Sequence, residues 1–110
     1  MIVFLRILFL FVLASMLAVT IGASLERGVF AAGAELWPDP WFRATLADAY
    51  FGFLAVYVWI AYKERTALGR VGWFVALMAL GNIAIAIYFL RELFRLKPDD
   101  PVEKLWVRAG

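Results

Sequence analysis

The sequence contains no cysteine and no histidine. Without thiols it can form no disulfide, no thiolate metal site and no thiol nucleophile. Without imidazole it lacks the commonest general base and metal ligand, and the usual axial ligand of haem. Charge is scarce as well. Asp, Glu, Lys and Arg make up 18% of the 110 residues, against about a quarter in soluble domains. The net charge of +2 is small and its sources scattered, which argues against a nucleic-acid partner. A metal would find one intramembrane carboxylate and one amide, fewer ligands than a site needs.

What the chain has in plenty is apolar surface: 65% of its residues are hydrophobic and 17% aromatic. Its length suits one domain. A chain this short buries only part of itself, so the excess must face something apolar, and lipid is the simplest candidate. Three runs carry it. Ile7 to Ser24 holds no charge, Ala44 to Tyr62 only Asp48, and Val71 to Leu90 none. Each meets the length needed to cross a bilayer core, about 20 residues. Each must be helical there, because lipid offers backbone groups no hydrogen bonds. A signal peptide is the rival reading of the first run. The run is long for one, and no small-x-small cleavage site precedes Ser24.

The expected fold is therefore all-α: an integral membrane three-helix bundle over residues 1–97, spanning at about 7–24, 44–62 and 71–90. The loop between helices 1 and 2 contains "VFAAGAELW", too short to span and suited to the interface. "KERTALGR" joins the second and third spans as antiparallel neighbours. The third helix is expected to run to about Lys97, where Pro98 disfavours helix in the residue before it. Residues 98–110 form an interfacial tail. A short amphipathic helix is expected there, with Asp100 as N-cap, Pro101 first and Glu103 at N3. Its Val102, Leu105 and Trp106 share a face.

Five tryptophans fit interfacial belts. On this topology Trp37, Trp41 and Trp106 fall on one side, Trp59 and Trp73 on the other. Arg6, Lys63, Arg65 and Arg70 favour a cytoplasmic N-terminus and an outside C-terminus by the positive-inside rule. The basic tail, from Arg91 to Arg108, opposes that orientation.

Polar groups near or inside the spans are the site candidates. Asp39 reads as a helix cap with Pro40 at the first position. Asp48 lies about 13 Å further along the axis, where an unpaired carboxylate would cost several kcal/mol. It falls on a stripe with Ala44, Gly52 and Ala55, the kind of small-residue seam that lets helices approach closely in lipid. Matching seams are Ala14, Ala18 and Gly22 in the first span, and Gly72, Ala76, Ala79 and Ala86 with Asn82 in the third. The reading joins Asp48 to Asn82 by an interhelical hydrogen bond worth about 0.5–2 kcal/mol, with Arg43 and Arg91 in reach as charge partners. Arg6 is expected to snorkel to headgroups. The Phe-rich "FLRILFLF" reads as lipid-facing, so lipid or pigment contact would be made without His ligation, and no cofactor is expected.

An acidic-Pro-Trp-Phe start, an acid several residues later and a Trp-x-x-Tyr-Lys-Glu exit are present as Asp39, Pro40, Trp41, Phe42, Asp48, Trp59, Tyr62, Lys63 and Glu64. In these residues the chain, from Asp39 through "YFLRELFRL", resembles a family of small membrane proteins of bacteria and plants, a domain of unknown function. The resemblance supports the fold and implies no activity. The first span and the tail beyond Pro98 lie outside it. A bacterial inner membrane is the expected location.

Three thin spans leave little interior for an active site. The expectation is a non-enzymatic accessory or assembly subunit, in contact with lipid and packed against larger membrane proteins. The alternative is a small homo-oligomeric carrier or channel using Asp48 and Asn82. An enzyme using Asp48 as its acid is the weakest reading.

Overall fold

Two capping side chains and one glycine set three of the helix starts. The computed structural model describes residues 1–108, of which 81% are helical with no strand among them. Six helices follow in order: α1 Ile2–Glu26, α2 Val29–Leu36, α3 Pro40–Lys63, α4 Ala67–Leu80, α5 Asn82–Leu93 and α6 Glu103–Trp106. Asp39 caps α3 as expected: its carboxylate accepts from the Trp41 N–H at 2.9 Å, with Pro40 at the first position. Thr66 caps α4 by accepting from the Gly69 N–H at 3.0 Å. Together these caps satisfy amides that a helix start leaves without partners.

α1 and α3 have 25 and 24 residues, about 36 Å each at 1.5 Å per residue. Both are long and apolar enough to cross a membrane, and only 6% of the most apolar stretch of each is buried inside the chain.

The third run departs from expectation. It is not one helix over 71–90 but two, reversed at Gly81. There φ is 57° and ψ −122°, a combination open to glycine and strained for any residue with a Cβ. Phe53 closes the corner, since a Cβ on Gly81 would stand 2.7 Å from its ring. The reversal is plain from partners that a straight helix would hold about 22 Å apart: the rings of Trp73 and Tyr88 meet edge to face at 4.8 Å. α4 and α5 thus form a hairpin of 14 and 12 residues, about 20 Å deep. Its tip lies beside the middle of α3, where Tyr50 donates to the Met78 carbonyl at 2.9 Å. Residues 40–49 of α3 extend beyond it.

The reversal also moves the tail. α5 runs back to the end of the molecule where α1 begins, and packs along α1 with Phe9 stacked on Phe89 at 4.2 Å. Ile2, Leu93 and Leu105 form a fully buried cluster joining the first turn of α1 to the tail. The N-terminus and the tail therefore share one end, not opposite ends as expected. Trp106 changes sides for the same reason. It meets Trp59 at 5.5 Å, so Trp59, Trp73 and Trp106 occupy the tail end, and only Trp37 and Trp41 belong with α2.

A second cluster, Ile60, Leu77, Ala84, Ile85 and Tyr88, joins α3 to both arms of the hairpin. α5 lies between α1 and α3, which barely touch each other.

Two local expectations also change. α5 ends at Leu93 rather than near Lys97, because tight turns from Arg95 N–H to Glu92 O and Leu96 N–H to Leu93 O bring the chain round. α6 starts at Glu103 with Val102 before it, so Asp100 is not its cap. The Asp100 carboxylate instead accepts from the Lys97 N–H at 2.8 Å, folding the turn at Pro98. That bond, then contact with Lys104, holds Asp100 below the usual carboxylate range. The expected face of α6 survives in Leu105 alone as a fully buried residue. Positions 109 and 110 of the expected tail lie outside the described residues.

Replacing Gly81 with Ala should cost about 1–3 kcal/mol through backbone strain alone, with the Phe53 clash added. Unfolding of purified protein by SDS titration measures the loss. Gly81→Ala combined with Phe53→Ala should still carry the backbone share.

Candidate functional site

The helix termini gathered at the tail end dictate its chemistry. α3 and α5 both finish there, and each presents last-turn carbonyls and the negative end of its dipole. Cations answer them. Arg6 donates from α1 to the Leu93 carbonyl at 3.1 Å and the Leu96 carbonyl at 2.6 Å. Arg70 donates to the Ala61 and Glu64 carbonyls at 3.0 and 3.2 Å. Arg108 donates to the Tyr62 carbonyl at 2.8 Å through Nε. The expectation for Arg6 was a side chain reaching outward to headgroups; it is turned inward as a cap that ties α1 to α5.

At the centre is a buried ion pair. Lys63 Nζ stands 2.8 Å from Glu92 Oε1, with side chains only 6% and 7% exposed. Lys63 also donates to the Leu105 carbonyl and lies 5.2 Å from the Trp59 ring centroid. One lysine thus joins α3, α5 and α6. Glu92 Oε2 has Arg95 Nη1 at 3.1 Å, but off the N–H direction. That contact is ionic, and the buried oxygen has no hydrogen-bond partner among the described residues. Beside the pair, Arg91 binds Glu64 at 2.8 Å and lies against the Trp73 and Tyr88 rings. A cavity of about 180 Å³ opens here between Lys63, Glu64, Thr66, Arg91 and Arg95.

Among the described residues only Arg27 and Arg43 of the basic side chains stand at the α2 end, where Arg27 pairs with Glu35. The acids Glu26, Glu35, Asp39 and Asp48 lie toward that end. The chain is thus a dipole with a cationic tail end. No three of its acidic residues gather into a metal-binding group among the described residues.

The expected site residues are dispersed. Asp48 and Asn82 are both exposed, and no hydrogen bond joins them among the described residues. The reason is angular. Tyr50, Phe53, Tyr57 and Ile60 are the α3 residues turned toward the hairpin. At 100° per residue Asp48 lies roughly 160° from their mean direction. Arg91 pairs with Glu64, and Arg43 is exposed. Of the small-residue seams only Ala86 is buried and Ala76 half-buried. Ala14, Ala18, Gly22, Ala44, Gly52, Ala55, Gly72 and Ala79 are exposed, and a Cβ added at Gly22, Gly52 or Gly72 would meet nothing within 4 Å. These stripes do not build the single chain.

Sequence reading passed over Lys63 with Glu92. The two residues are far apart in the chain, and each is a single charge beside an apolar run. The available signal was "GN" at 81–82, two turn-favouring residues inside a presumed span. Reading it as a reversal would have set Arg91 and Glu92 opposite Lys63 and Glu64.

These features define a small all-α protein with two long apolar helices, a short hairpin and one cationic end. The chain belongs to the family described as protein of unknown function (DUF1475), whose profile matches residues 1–109. The match covers the first helix and the tail as well as the stretch from Asp39 through "YFLRELFRL". No curated protein and no solved structure matches the chain.

Removing one partner of the buried pair, by Lys63→Ala or Glu92→Ala, should cost about 3–5 kcal/mol because the other charge stays buried. Replacing both, as Lys63→Met with Glu92→Leu, should recover most of that loss. Chemical unfolding of the three variants in one detergent provides the comparison.

Proposed function

We propose that this chain is a small integral membrane subunit, without enzymatic activity of its own, that docks onto a larger membrane protein through the outward face of α3. One observation carries the reading. Asp48 stands exposed on a helix of 24 residues, in a stripe with Ala44, Gly52 and Ala55 that none of the described residues covers. In lipid a lone carboxylate is expensive, and a small-residue stripe invites a close helix. A partner helix offering a basic or hydrogen-bond-donating side chain at that depth meets both demands. Copurification from native membranes checks it. Asp48→Asn should keep the partner, because the amide carbonyl still accepts a hydrogen bond. Asp48→Leu should release the partner while the protein stays folded.

The membrane arrangement that fits is two crossings, α1 and α3, with the α4–α5 hairpin entering from the tail end and returning to it. A hairpin about 20 Å deep falls short of a hydrocarbon core of about 30 Å. Non-helical backbone at that depth is tolerated where protein buries it, as Phe53 buries Gly81. The first turn of α1 and the tail through Arg108 then lie on the cationic side, which the positive-inside rule makes cytoplasmic. The objection raised by the basic tail disappears. α1 acts as a retained crossing in this reading, since Ile2 and Arg6 are built into the tail end. The chain has no native cysteine, so single-cysteine labelling is clean. Arg65→Cys and Lys104→Cys should react with an impermeant maleimide from one side of sealed vesicles, and Glu35→Cys only from the other.

A homo-oligomeric carrier or channel is the second reading, and a different observation favours it. α5 begins beside the middle of α3, which sets a positive helix end and Asn82 at mid-depth. A monodisperse homo-oligomer with no other polypeptide, and loss of transport in Asp48→Asn, would favour it over the accessory subunit.

A further inference from the structure

Below the Lys63–Glu92 pair the tail folds over a second cavity, of about 290 Å³. Lys63, Arg95, Lys104 and Arg108 wall it, Glu92 is its one acid, and Leu96 and Val107 are its apolar side. Two of the cations are already committed within the chain, Lys63 to Glu92 and Leu105, and Arg108 to Tyr62. The other two keep donors to spare. Arg95 has its ionic contact with Glu92 and a side chain 56% exposed. Lys104 has a 3.3 Å contact with Asp100 and is 57% exposed. Positive charge in excess, converging on one concavity, is matched by an anion with several acceptor oxygens. The volume lies at the lower bound of small-ligand sites, about 300 Å³. It fits a headgroup-sized molecule rather than a whole lipid. The apolar side and the neighbouring Trp59 and Trp106 put the cavity where headgroup meets acyl chain.

We propose that this cavity binds the phosphate ester of an anionic lipid headgroup, with Arg95 and Lys104 as its principal donors. Basic pockets between helices on the cytoplasmic face of membrane proteins take such headgroups. The assignment to lipid rests on the membrane reading above; the phosphate-ester chemistry does not.

The test has separable arms. Full-length protein is first floated with phosphatidylcholine vesicles. Failure to float overturns the membrane reading and the lipid source, and leaves the phosphate ester to the soluble arm. Protein extracted from mixed phosphatidylcholine and phosphatidylglycerol vesicles is then weighed by native mass spectrometry. The expected result is retention of phosphatidylglycerol beyond its mixing ratio. Arg95→Gln and Lys104→Gln should each lower that retention about fivefold, Arg95→Lys should restore most of it, and Arg43→Gln at the far end should leave it unchanged. In the soluble arm, glycerol 3-phosphate raises the unfolding temperature of the native protein but not of Lys104→Gln if the phosphate group suffices for binding. Retained phosphatidylglycerol without that shift marks the lipid as the required source. Retention at the mixing ratio with no shift by glycerol 3-phosphate overturns the proposal. Equal loss in Arg43→Gln overturns it too, since binding would then follow overall charge.

Discussion

Gly81 holds φ at 57° with ψ at −122°, and Phe53 lies where a Cβ would go. A continuous helix through this point would carry Arg91 and Glu92 to the α2 end. Reversed, α5 delivers them to Glu64 and Lys63. The buried ion pair, the burial of Leu93 against Ile2 and Leu105, and the docking of the tail on Trp59 all require that return. The constraint is steric and local, and its consequences reach both ends of the chain.

Electrostatics then explains why the returned elements stay together. The C-termini of α3 and α5 lie side by side, which concentrates unpaired carbonyls and negative dipole ends. Arg6, Arg70 and Arg108 donate to them from three other places in the sequence. Each bond stitches a different segment to the same end. Lys63 does most, since its ammonium serves Glu92 and the Leu105 carbonyl together. The chain holds by its cationic end, while the opposite halves of α1 and α3 stand apart with little between them.

That asymmetry shapes the functional reading. Among the described residues, one oxygen of Glu92 is the buried side-chain polar atom left without a hydrogen bond, and Arg95 and Lys104 at the same end keep spare donors. The upper half of α3 offers a carboxylate, Asp48, with no hydrogen bond or ion pair among the described residues, on a stripe of small side chains. In the two proposals these groups meet other molecules: a helix for Asp48 and an anion for the tail cavity. The accessory-subunit proposal rests on this outward disposition.

Much of the fold was legible in the sequence where chemistry is local. Two long apolar runs bounded by charge give α1 and α3, and Asp39 with Pro40 marks a helix start by side-chain reach and fixed φ. The composition determined by itself that the chain has more apolar surface than it can bury, and the length of its apolar runs pointed to helices. The third run misled because hydropathy records how apolar a segment is, not its direction, and 20 apolar residues satisfy one crossing or two short arms equally well. The small-residue stripes were real as patterns, yet periodicity cannot say which face meets the chain's own helices. Only the tertiary structure decided that Arg6 caps α5, that Lys63 meets Glu92, and that Asp48 looks away from Asn82. The first two depend on the sign of one backbone angle at Gly81, which brings distant residues within bonding distance and leaves no periodic trace in the sequence; the third depends on which face of α3 meets the hairpin.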